Sequence, residues 1–314
     1  MLSLLKNFPE QIKEAIEIGK KISLDASNIQ NVVISGMGGS GIVGDILKHV
    51  AKIPFFVNKD YSIPSFVSSK TLFVAISYSG NTEETIESYK KAKRKGAKTI
   101  IITSDGWLGK RKNAILIPPG MQPRAAIAYL LFPISVFLER NGIIKKIDYG
   151  DVINVAETMR NRMNIAKEVA NEINGIPIIY GHGILEAIAK RWRQQFNENA
   201  KMHAFSFGVS ESNHNEIEAW ENDGNNFTCI FLRNSKEREE IKKRFEFMEE
   251  VYGKNTRVIQ IFGEGKNDFS AAIYLLYFGD LTSVYKAMER GVEPEPVNLI
   301  MQLKRRLSTQ DPHH

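Results

Sequence analysis

The sequence predicts an α/β protein built from two doubly wound domains, each a mainly parallel five-stranded sheet flanked by helices, followed by a C-terminal helix. Short runs of Val, Ile and Phe recur along the 314 residues, and helical patterns of about a dozen residues separate them. The two halves also open alike, because NVVISGMGGSGI and IPIIYGHGILEA are both apolar strands that end in a glycine-rich turn. A duplicated unit explains both halves, which we place at residues 1–150 and 151–314.

The first domain is expected to begin with an amphipathic helix over about residues 8–22. Its five strands are expected at Asn31–Ser35, Pro54–Val57, Thr71–Ser77, Lys98–Thr103 and Ala114–Ile117. Helical patterns separate several of these runs, at Ile42–Lys52, Thr82–Lys95 and Pro123–Arg140. Strands of continuous apolar residues are typical of a parallel sheet covered on both faces.

The second domain is expected to follow a polar, helical connector at residues 148–174. Its clearest strand patterns are Ile176–Tyr180, Met202–Phe207, Phe227–Leu232 and Arg257–Ile261. Its helices are expected at Ile184–Asn199, Asn215–Glu221, Glu237–Tyr252 and Asp268–Met288, before a basic C-terminal helix at Val297–Leu307.

Composition excludes several classes of protein. With 43% hydrophobic and 25% charged residues, the chain has ordinary globular usage. The longest nearly apolar stretch, Ala125 to Leu138, is interrupted and too short to span a hydrocarbon layer of about 30 Å. The apolar start Met1 to Leu5 has no room for a secretory signal, so we expect a cytoplasmic protein with no membrane partner.

The single cysteine, Cys229, lies in an apolar run and is expected to be a buried structural thiol.

Positive charge is concentrated in the first half of the chain. Residues 1–150 carry 21 Lys and Arg against 12 Asp and Glu, whereas residues 151–314 carry 21 against 24. The densest cluster, between Lys90 and Lys98, lies at a predicted helix end, where cations suit the helix dipole. Neither aromatic residues nor a DNA-binding motif accompany it, so no nucleic-acid partner is expected. A basic half favours an anionic small substrate.

Two loops rich in glycine and hydroxyl groups follow neighbouring strands of the first domain. The first, SGMGGSG at Ser35–Gly41, opens a helix, so backbone N–H groups and the helix dipole can converge on an anion. The second, SYSGNTEE at Ser77–Glu84, carries three hydroxyls, and Asn81 and Glu84 have the spacing of a helix-capping pair. Together the loops predict a site for one phosphoryl group. The residues expected to bind that phosphoryl group are Gly39, Ser40, Ser77, Ser79 and Thr82.

The first loop also has the letters of the dinucleotide motif G-x-G-x-x-G, and Asp60 lies near the position of the acidic residue that such sites use. An NAD-dependent oxidoreductase is therefore one alternative, which a failure to bind NAD in a titration would eliminate. The hydroxyls of the second loop favour a phosphosugar, because a pyrophosphate site does not require them there.

In these two loops, GMGGSG and SYSGNTEE, the sequence resembles the sugar isomerase (SIS) domain family. Two tandem units, the basic C-terminal helix and the segment HNEIEAW at His214–Trp220 extend the resemblance over about residues 20–307. Over that length the chain is similar to the archaeal and bacterial isomerases that act on both phosphoglucose and phosphomannose. The resemblance implies interconversion of glucose 6-phosphate and mannose 6-phosphate with fructose 6-phosphate through a cis-enediol, with no cofactor.

The resemblance also implies roles for four residues. Glu198 corresponds to the base that moves a proton between C2 and C1, and Arg124 and Lys304 correspond to cations beside the enediolate oxygens. His214 corresponds to the group that opens the sugar ring, which in the family comes from the neighbouring subunit of a homodimer. Without the resemblance, Glu198 and Lys304 are more often solvated helix-end charges. Arg124 is then equally consistent with a plain helix start and with a site cation, and His214 with a capping loop and with proton transfer.

A second alternative is a regulatory module that binds a phosphosugar without catalysis, since SIS domains also serve as sensors. Such modules usually lack a Glu, His and Lys set, and no helix-turn-helix is recognisable at either end of this chain. His182, in the glycine-rich turn of the second unit, lacks accompanying hydroxyls, so that crevice is expected to be degenerate. No histidine or cysteine cluster has metal-ligand spacing, and no metal is expected.

Overall fold

The computed structural model describes residues 1–221 and 226–308. Residues 309–314, the end of the expected second domain, lie outside the described part of the chain. Within that part, no helix combines the length and the apolar character that crossing a membrane requires.

The first sheet has five parallel strands: β1 (Asn31–Ser35), β2 (Phe55–Asn58), β3 (Thr71–Ile76), β4 (Lys98–Thr103) and β5 (Ala114–Leu116). Their order is β2-β1-β3-β4-β5. The chain leaves β1 toward one side for β2 and returns to pair β3 on the other side. The carboxyl ends of β1 and β3 therefore flank the crevice at which doubly wound sheets bind their ligands.

The second sheet also consists of parallel strands: β6 (Ile176–Gly181), β7 (Phe205–Gly208), β8 (Phe227–Asn234) and β9 (Arg257–Gly263). Their order is β7-β6-β8-β9, which repeats the order of the first four strands of the first sheet. The described residues contain four strands here, where five were expected. After β9 the chain enters a long buried helix instead of returning to the sheet edge, so β5 has no counterpart.

The first half contains six α-helices. These are α1 (Leu2–Lys6), α2 (Phe8–Lys20), α3 (Gly38–Leu47), α4 (Glu83–Arg94), α5 (Gly106–Gly109) and α6 (Ile127–Arg140). Short 3-10 turns at Lys48–Val50 and Pro123–Ala126 follow α3 and precede α6. The single helix expected at Pro123–Arg140 therefore begins as a 3-10 turn, and Arg124 lies on that turn.

The second half of the described chain adds seven helices. These are α7 (Tyr149–Asn161), α8 (Met163–Glu172), α9 (Ile184–Asn199), α10 (Val209–Ser212), α11 (Glu239–Tyr252), α12 (Asp268–Glu289) and α13 (Asn298–Ser308). A 3-10 turn spans Glu216–Glu221. The expected connector at residues 148–174 thus forms two helices, and both pack against α12. Cys229 of β8 is fully buried, as expected, and burial raises the pKa of its thiol.

Helices α9 and α12 pack closely at the centre of the molecule. Trp192 of α9 is fully buried, and its Nε1 donates to the carbonyl oxygen of Leu275 at 2.8 Å. A Cβ atom at Gly279 of α12 would lie 2.1 Å from Trp192 Nε1, so only glycine permits this approach. Side chains of both helices belong to one apolar cluster that also includes residues of α2, α6 and both sheets. Packing against α12 therefore fixes the middle of α9, and the last turn of the same helix extends to the candidate site.

Candidate active site

The first loop lies against the end of β3. A Cβ atom at Gly36 would meet the Ile76 carbonyl oxygen at 2.8 Å, and one at Gly41 would meet the Gly36 carbonyl oxygen at 2.5 Å. Both positions therefore need glycine. Helix α3 begins at Gly38, so its positive dipole end points toward the crevice between β1 and β3, where Ser40 is buried. Anion binding at this helix start stays a prediction, which the orientation of α3 supports.

The second loop brings two of its hydroxyls together. Ser77 Oγ lies 2.8 Å from Thr82 Oγ1, and Ser79 Oγ accepts the backbone N–H of Asn81 at 3.3 Å. The expected capping pair of Asn81 and Glu84 is wrong, because Thr82 is the residue that precedes α4 and no side chain caps that helix. Asn81 Oδ1 instead accepts the backbone N–H of Trp107 at 2.8 Å. The second loop is thus tied to the loop at Trp107 through Asn81, while its hydroxyls bond one another and its own backbone.

Arg124 is a buried cation beside the first loop. Its side chain is 5% exposed, and a Cβ atom at Gly39 would lie 3.8 Å from its Cα. Its Nε donates to Asn199 Oδ1 at 2.6 Å, and its Nη2 donates to the backbone carbonyls of Pro294 and Glu295. Burial lowers the pKa of Arg124, an effect that the Glu198 and Glu295 carboxylates oppose. A guanidinium keeps its proton under these conditions, so the site contains a fixed positive charge.

Glu198 lies in the last turn of α9 and faces Arg124. Its Oε2 is 3.6 Å from Arg124 Nη1, an ion pair longer than a hydrogen bond, and its side chain is 29% exposed. Lys201 Nζ donates to the backbone carbonyls of Glu198 and Pro296. The carboxylate is therefore positioned by a cation while remaining open to a bound molecule. A carboxylate and a guanidinium therefore lie beside the first loop, an arrangement that could serve proton transfer at a carbonyl compound.

His214 lies elsewhere in the same chain. It is exposed after α10, and with His182, Glu186 and Glu211 it lines a cavity of about 470 Å³ at the start of α9. Glu186 and Glu198 are separated by three turns of α9, a distance of about 18 Å at the usual rise per residue. One chain therefore does not bring His214 to the Glu198 carboxylate.

The segment around His214 is anchored by Glu216. Glu216 Oε1 accepts from the Tyr180 hydroxyl at 2.7 Å and from Trp220 Nε1 at 2.8 Å. Trp220 also stacks on Tyr252, with ring centroids 4.4 Å apart. These contacts tie the motif to the second sheet and leave the His214 imidazole facing outward.

Lys304 lies on α13, whose side chains from 301 to 307 are all exposed. The segment before α13 passes the site, since the carbonyls of Pro294 and Pro296 accept from Arg124 and Lys201. The helix also exposes a row of apolar side chains: Leu299, Ile300, Met301, Leu303 and Leu307. The described chain thus places the start of α13 beside the site but leaves Lys304 in solvent.

Two residues that the sequence did not single out support Arg124. The Tyr78 hydroxyl donates to the Pro118 carbonyl at 3.0 Å and accepts the Met121 N–H at 2.9 Å, which pins the loop before Arg124. Asn199 holds the guanidinium itself. Tyr78 lies inside the second loop, so its position in that motif was a usable signal. Asn199 directly follows Glu198. The only sequence signal for it was its spacing from other polar residues of α9.

Comparisons with known proteins give one family for both halves. A family model described as "SIS domain" matches residues 27–135, and one described as "Bacterial phospho-glucose isomerase C-terminal SIS domain" matches residues 162–307. The bifunctional phosphoglucose/phosphomannose isomerase of Caldicellulosiruptor bescii is 38% identical over 98% of this chain and 99% of that protein. The protein of the same name from Thermoplasma volcanium is 39% identical over 95% of this chain and 97% of its own length.

A relative with a different name is also similar. The D-glucosamine-6-phosphate 4-epimerase of Sulfolobus acidocaldarius is 30% identical over 96% of this chain and 97% of that protein. Among solved structures, the C-terminal domain of glucosamine-fructose-6-phosphate aminotransferase from Francisella tularensis aligns with a TM-score of 0.73 and 18% identity. That alignment covers 94% of this chain and 97% of the other, and it shows a shared fold.

Proposed function

The chain belongs to the family of bifunctional phosphoglucose/phosphomannose isomerases, and from that premise we propose that it interconverts glucose 6-phosphate and mannose 6-phosphate with fructose 6-phosphate. It is a phosphosugar aldose–ketose isomerase. One observation supports the assignment most directly: buried Arg124 lies between the first phosphate loop and the Glu198 carboxylate.

The substrate phosphate binds between the two loops in this proposal. The start of α3 supplies backbone N–H groups and its dipole beside Gly39 and Ser40, and the Ser77, Ser79 and Thr82 hydroxyls supply further donors. The phosphate is anchored by the region 1–150, and the base comes from the region 151–314. The reacting carbons are thereby directed toward Arg124 and Glu198.

Proton transfer follows from that placement. Glu198 removes the proton from C2 of the open-chain aldose, and the electron pair forms the C1–C2 double bond as the carbonyl oxygen becomes the enediolate oxygen. Arg124 stabilises that negative charge. Glu198 then returns the proton to C1, the proton of the C2 hydroxyl passes to the O1 oxyanion, and C2 becomes the carbonyl carbon, which gives the ketose. A single base suffices because both carbons lie on one face of the cis-enediol.

Ring opening is assigned to His214 of a second subunit. It donates a proton to the ring oxygen and takes up the proton that the O1 hydroxyl loses, so the bond between C1 and the ring oxygen breaks as the C1 carbonyl forms. A neutral imidazole has one donor and one acceptor nitrogen, which suits this exchange. Two observations support a homodimer. His214 and Glu198 are at opposite ends of α9, and α13 exposes apolar side chains that a second copy would cover. The same contact would carry Lys304 toward an active site.

The direct test incubates the purified protein with fructose 6-phosphate, without nucleotide or added metal, and separates the products. We expect both glucose 6-phosphate and mannose 6-phosphate to form. Formation of glucose 6-phosphate alone would restrict the activity to glucose 6-phosphate isomerisation. Binding of fructose 6-phosphate without either product would favour the alternative of a regulatory module that binds a phosphosugar without catalysis. A parallel incubation with glucosamine 6-phosphate tests the chemistry in the name of the Sulfolobus relative. Epimerisation at C4 in place of isomerisation would overturn the proposal.

Replacing Ser77 by alanine is expected to raise KM for fructose 6-phosphate by about tenfold or more, with a smaller change in kcat. A hydrogen bond to a charged group contributes about 1.5–3 kcal/mol, and the phosphate keeps the same charge throughout the reaction. Steady-state kinetics measure both constants. Ser135→Ala is the matched control, because Ser135 is equally buried but bonds only within and beside α6. An unchanged KM in Ser77→Ala would remove this hydroxyl from the phosphate site.

A further inference from the structure

A line of buried polar side chains runs behind Arg124 from helix α12. Asp280 is 1% exposed, and its carboxylate accepts from Arg191 Nε at 2.9 Å and from Arg191 Nη2 at 2.6 Å. Gln195 Nε2 donates to the same carboxylate at 2.7 Å. The acid and its three N–H donors thus form a rigid unit between α9 and α12.

That unit continues to the active site through Asn199. Asn199 Nδ2 donates to Gln195 Oε1 at 3.2 Å and to Ser283 Oγ at 2.9 Å, while its Oδ1 accepts from Arg124 Nε. Arg191 Nη2 also donates to the backbone carbonyl of Arg124 at 2.8 Å. Arg124 is consequently held twice, at its guanidinium and at its backbone.

We propose that Asn199, oriented by Gln195 and Asp280, is a positioning residue that fixes the Arg124 guanidinium for the reaction. The inference rests on the proposed role of Arg124. A guanidinium offers five N–H groups in one plane. Asn199 takes the Nε edge and the carbonyls of Pro294 and Glu295 take Nη2, so the Nη1 edge is directed toward Glu198. Gln122 Oε1 also accepts from Nη1, at 3.4 Å. Without the Asn199 acceptor, the buried Nε–H would lack a partner, and the guanidinium would be held only at Nη1 and Nη2, so its plane could turn.

The placement of these residues supports a role in geometry rather than in stability. Arg191, Gln195 and Asn199 follow one another at intervals of four, so they form one polar face of α9 beside the fully buried Trp192 and Phe196. A buried ion pair such as Arg191–Asp280 is often no more stabilising than apolar side chains of the same size. Apolar residues at this interface would pack α9 on α12 equally well, but they would offer Arg124 no acceptor.

A double-mutant cycle tests the inference. In the otherwise wild-type protein, Asn199→Ala is expected to lower kcat about 10- to 100-fold with KM nearly unchanged, because the enediolate loses a well-aimed cation. In the Arg124→Ala background, the same substitution is expected to change kcat by no more than about twofold. Equal losses in both backgrounds would overturn the inference and assign Asn199 a purely structural role. If Arg124→Ala itself retained wild-type kcat, the proposed function of Arg124 would fail first.

Two further variants separate positioning from folding. Gln11→Ala removes another buried amide, one that bonds the Leu4 carbonyl at 3.0 Å far along the chain from the network, and it should lose thermal stability without losing kcat. Gln195→Leu serves if Asn199→Ala does not fold, since it leaves the Asn199–Arg124 contact but removes its support. Its loss of kcat should likewise vanish in the Arg124→Ala background, and persistence of that loss would count against the inference.

Discussion

Replacing Glu198 by glutamine is expected to lower kcat for the isomerisation of fructose 6-phosphate at least ~100-fold while KM changes little. The amide has the shape of the carboxylate but cannot accept the substrate proton, and the phosphate contacts that determine binding are unaffected. The rate can be followed by product formation. In deuterium oxide, loss of deuterium incorporation into the product measures the proton-transfer step itself.

A second glutamate provides the matched control for that variant. Glu172 also lies in the last turn of a helix and also pairs with an arginine, with its Oε2 2.6 Å from Arg257 Nη2 on the surface. Glu172→Gln should retain wild-type kcat, because this ion pair is exposed and exposed ion pairs contribute little to stability. Near-wild-type turnover in Glu198→Gln would remove that carboxylate from its role as base.

Mixing two variants of very low activity, Glu198→Gln and His214→Ala, is expected to restore activity. If each site combines Glu198 of one chain with His214 of the other, a hybrid dimer has one doubly altered site and one intact site. Random association of equal amounts makes half of the dimers hybrids, so about a quarter of wild-type activity should return. The measurement is activity after joint unfolding and refolding, with hybrids isolated through a tag on one chain.

The control for that experiment uses two residues that lie together in one chain. Arg124 and Glu198 are 3.6 Å apart, so each site of a hybrid between Arg124→Ala and Glu198→Gln still carries one damaged residue. This mixture should stay inactive. An isolated hybrid of Glu198→Gln and His214→Ala that also stays inactive would contradict a site shared between subunits.

The sequence predicted most strands closely because each is a continuous apolar run bounded by polar turns. Asn31–Ser35 and Lys98–Thr103 coincide with β1 and β4, and Ile184–Asn199 coincides with α9. The positions of the two glycine-rich loops were predictable for a similar reason, because each loop directly follows an apolar strand. The fifth strand of the second domain was an extrapolation from symmetry, and no apolar run in the described residues supplies it.

The assembly of the site could not be derived from local pattern. Arg124 and Glu198 lie in different halves of the chain, and their contact depends on how α9 packs beside the turn at Pro123–Ala126. Resemblance suggested both residues, but it gave no distance between them. Asn81 is a residue at which the local pattern predicted the wrong contact. Its spacing from Glu84 predicted a cap on α4, but its Oδ1 accepts the backbone N–H of Trp107, in a loop distant in sequence.

The positions of the three tryptophans give each part of the site its own chromophore. Trp107 contacts the second loop through Asn81, Trp192 of α9 bonds to Leu275 of α12, and Trp220 bonds to Glu216 in the segment that carries His214. Indole emission depends on the polarity around the ring, and these three rings lie in different surroundings. Variants that retain one tryptophan at a time would therefore report separately on changes at the second loop, on the packing of α9 against α12 and on changes at the segment that carries His214.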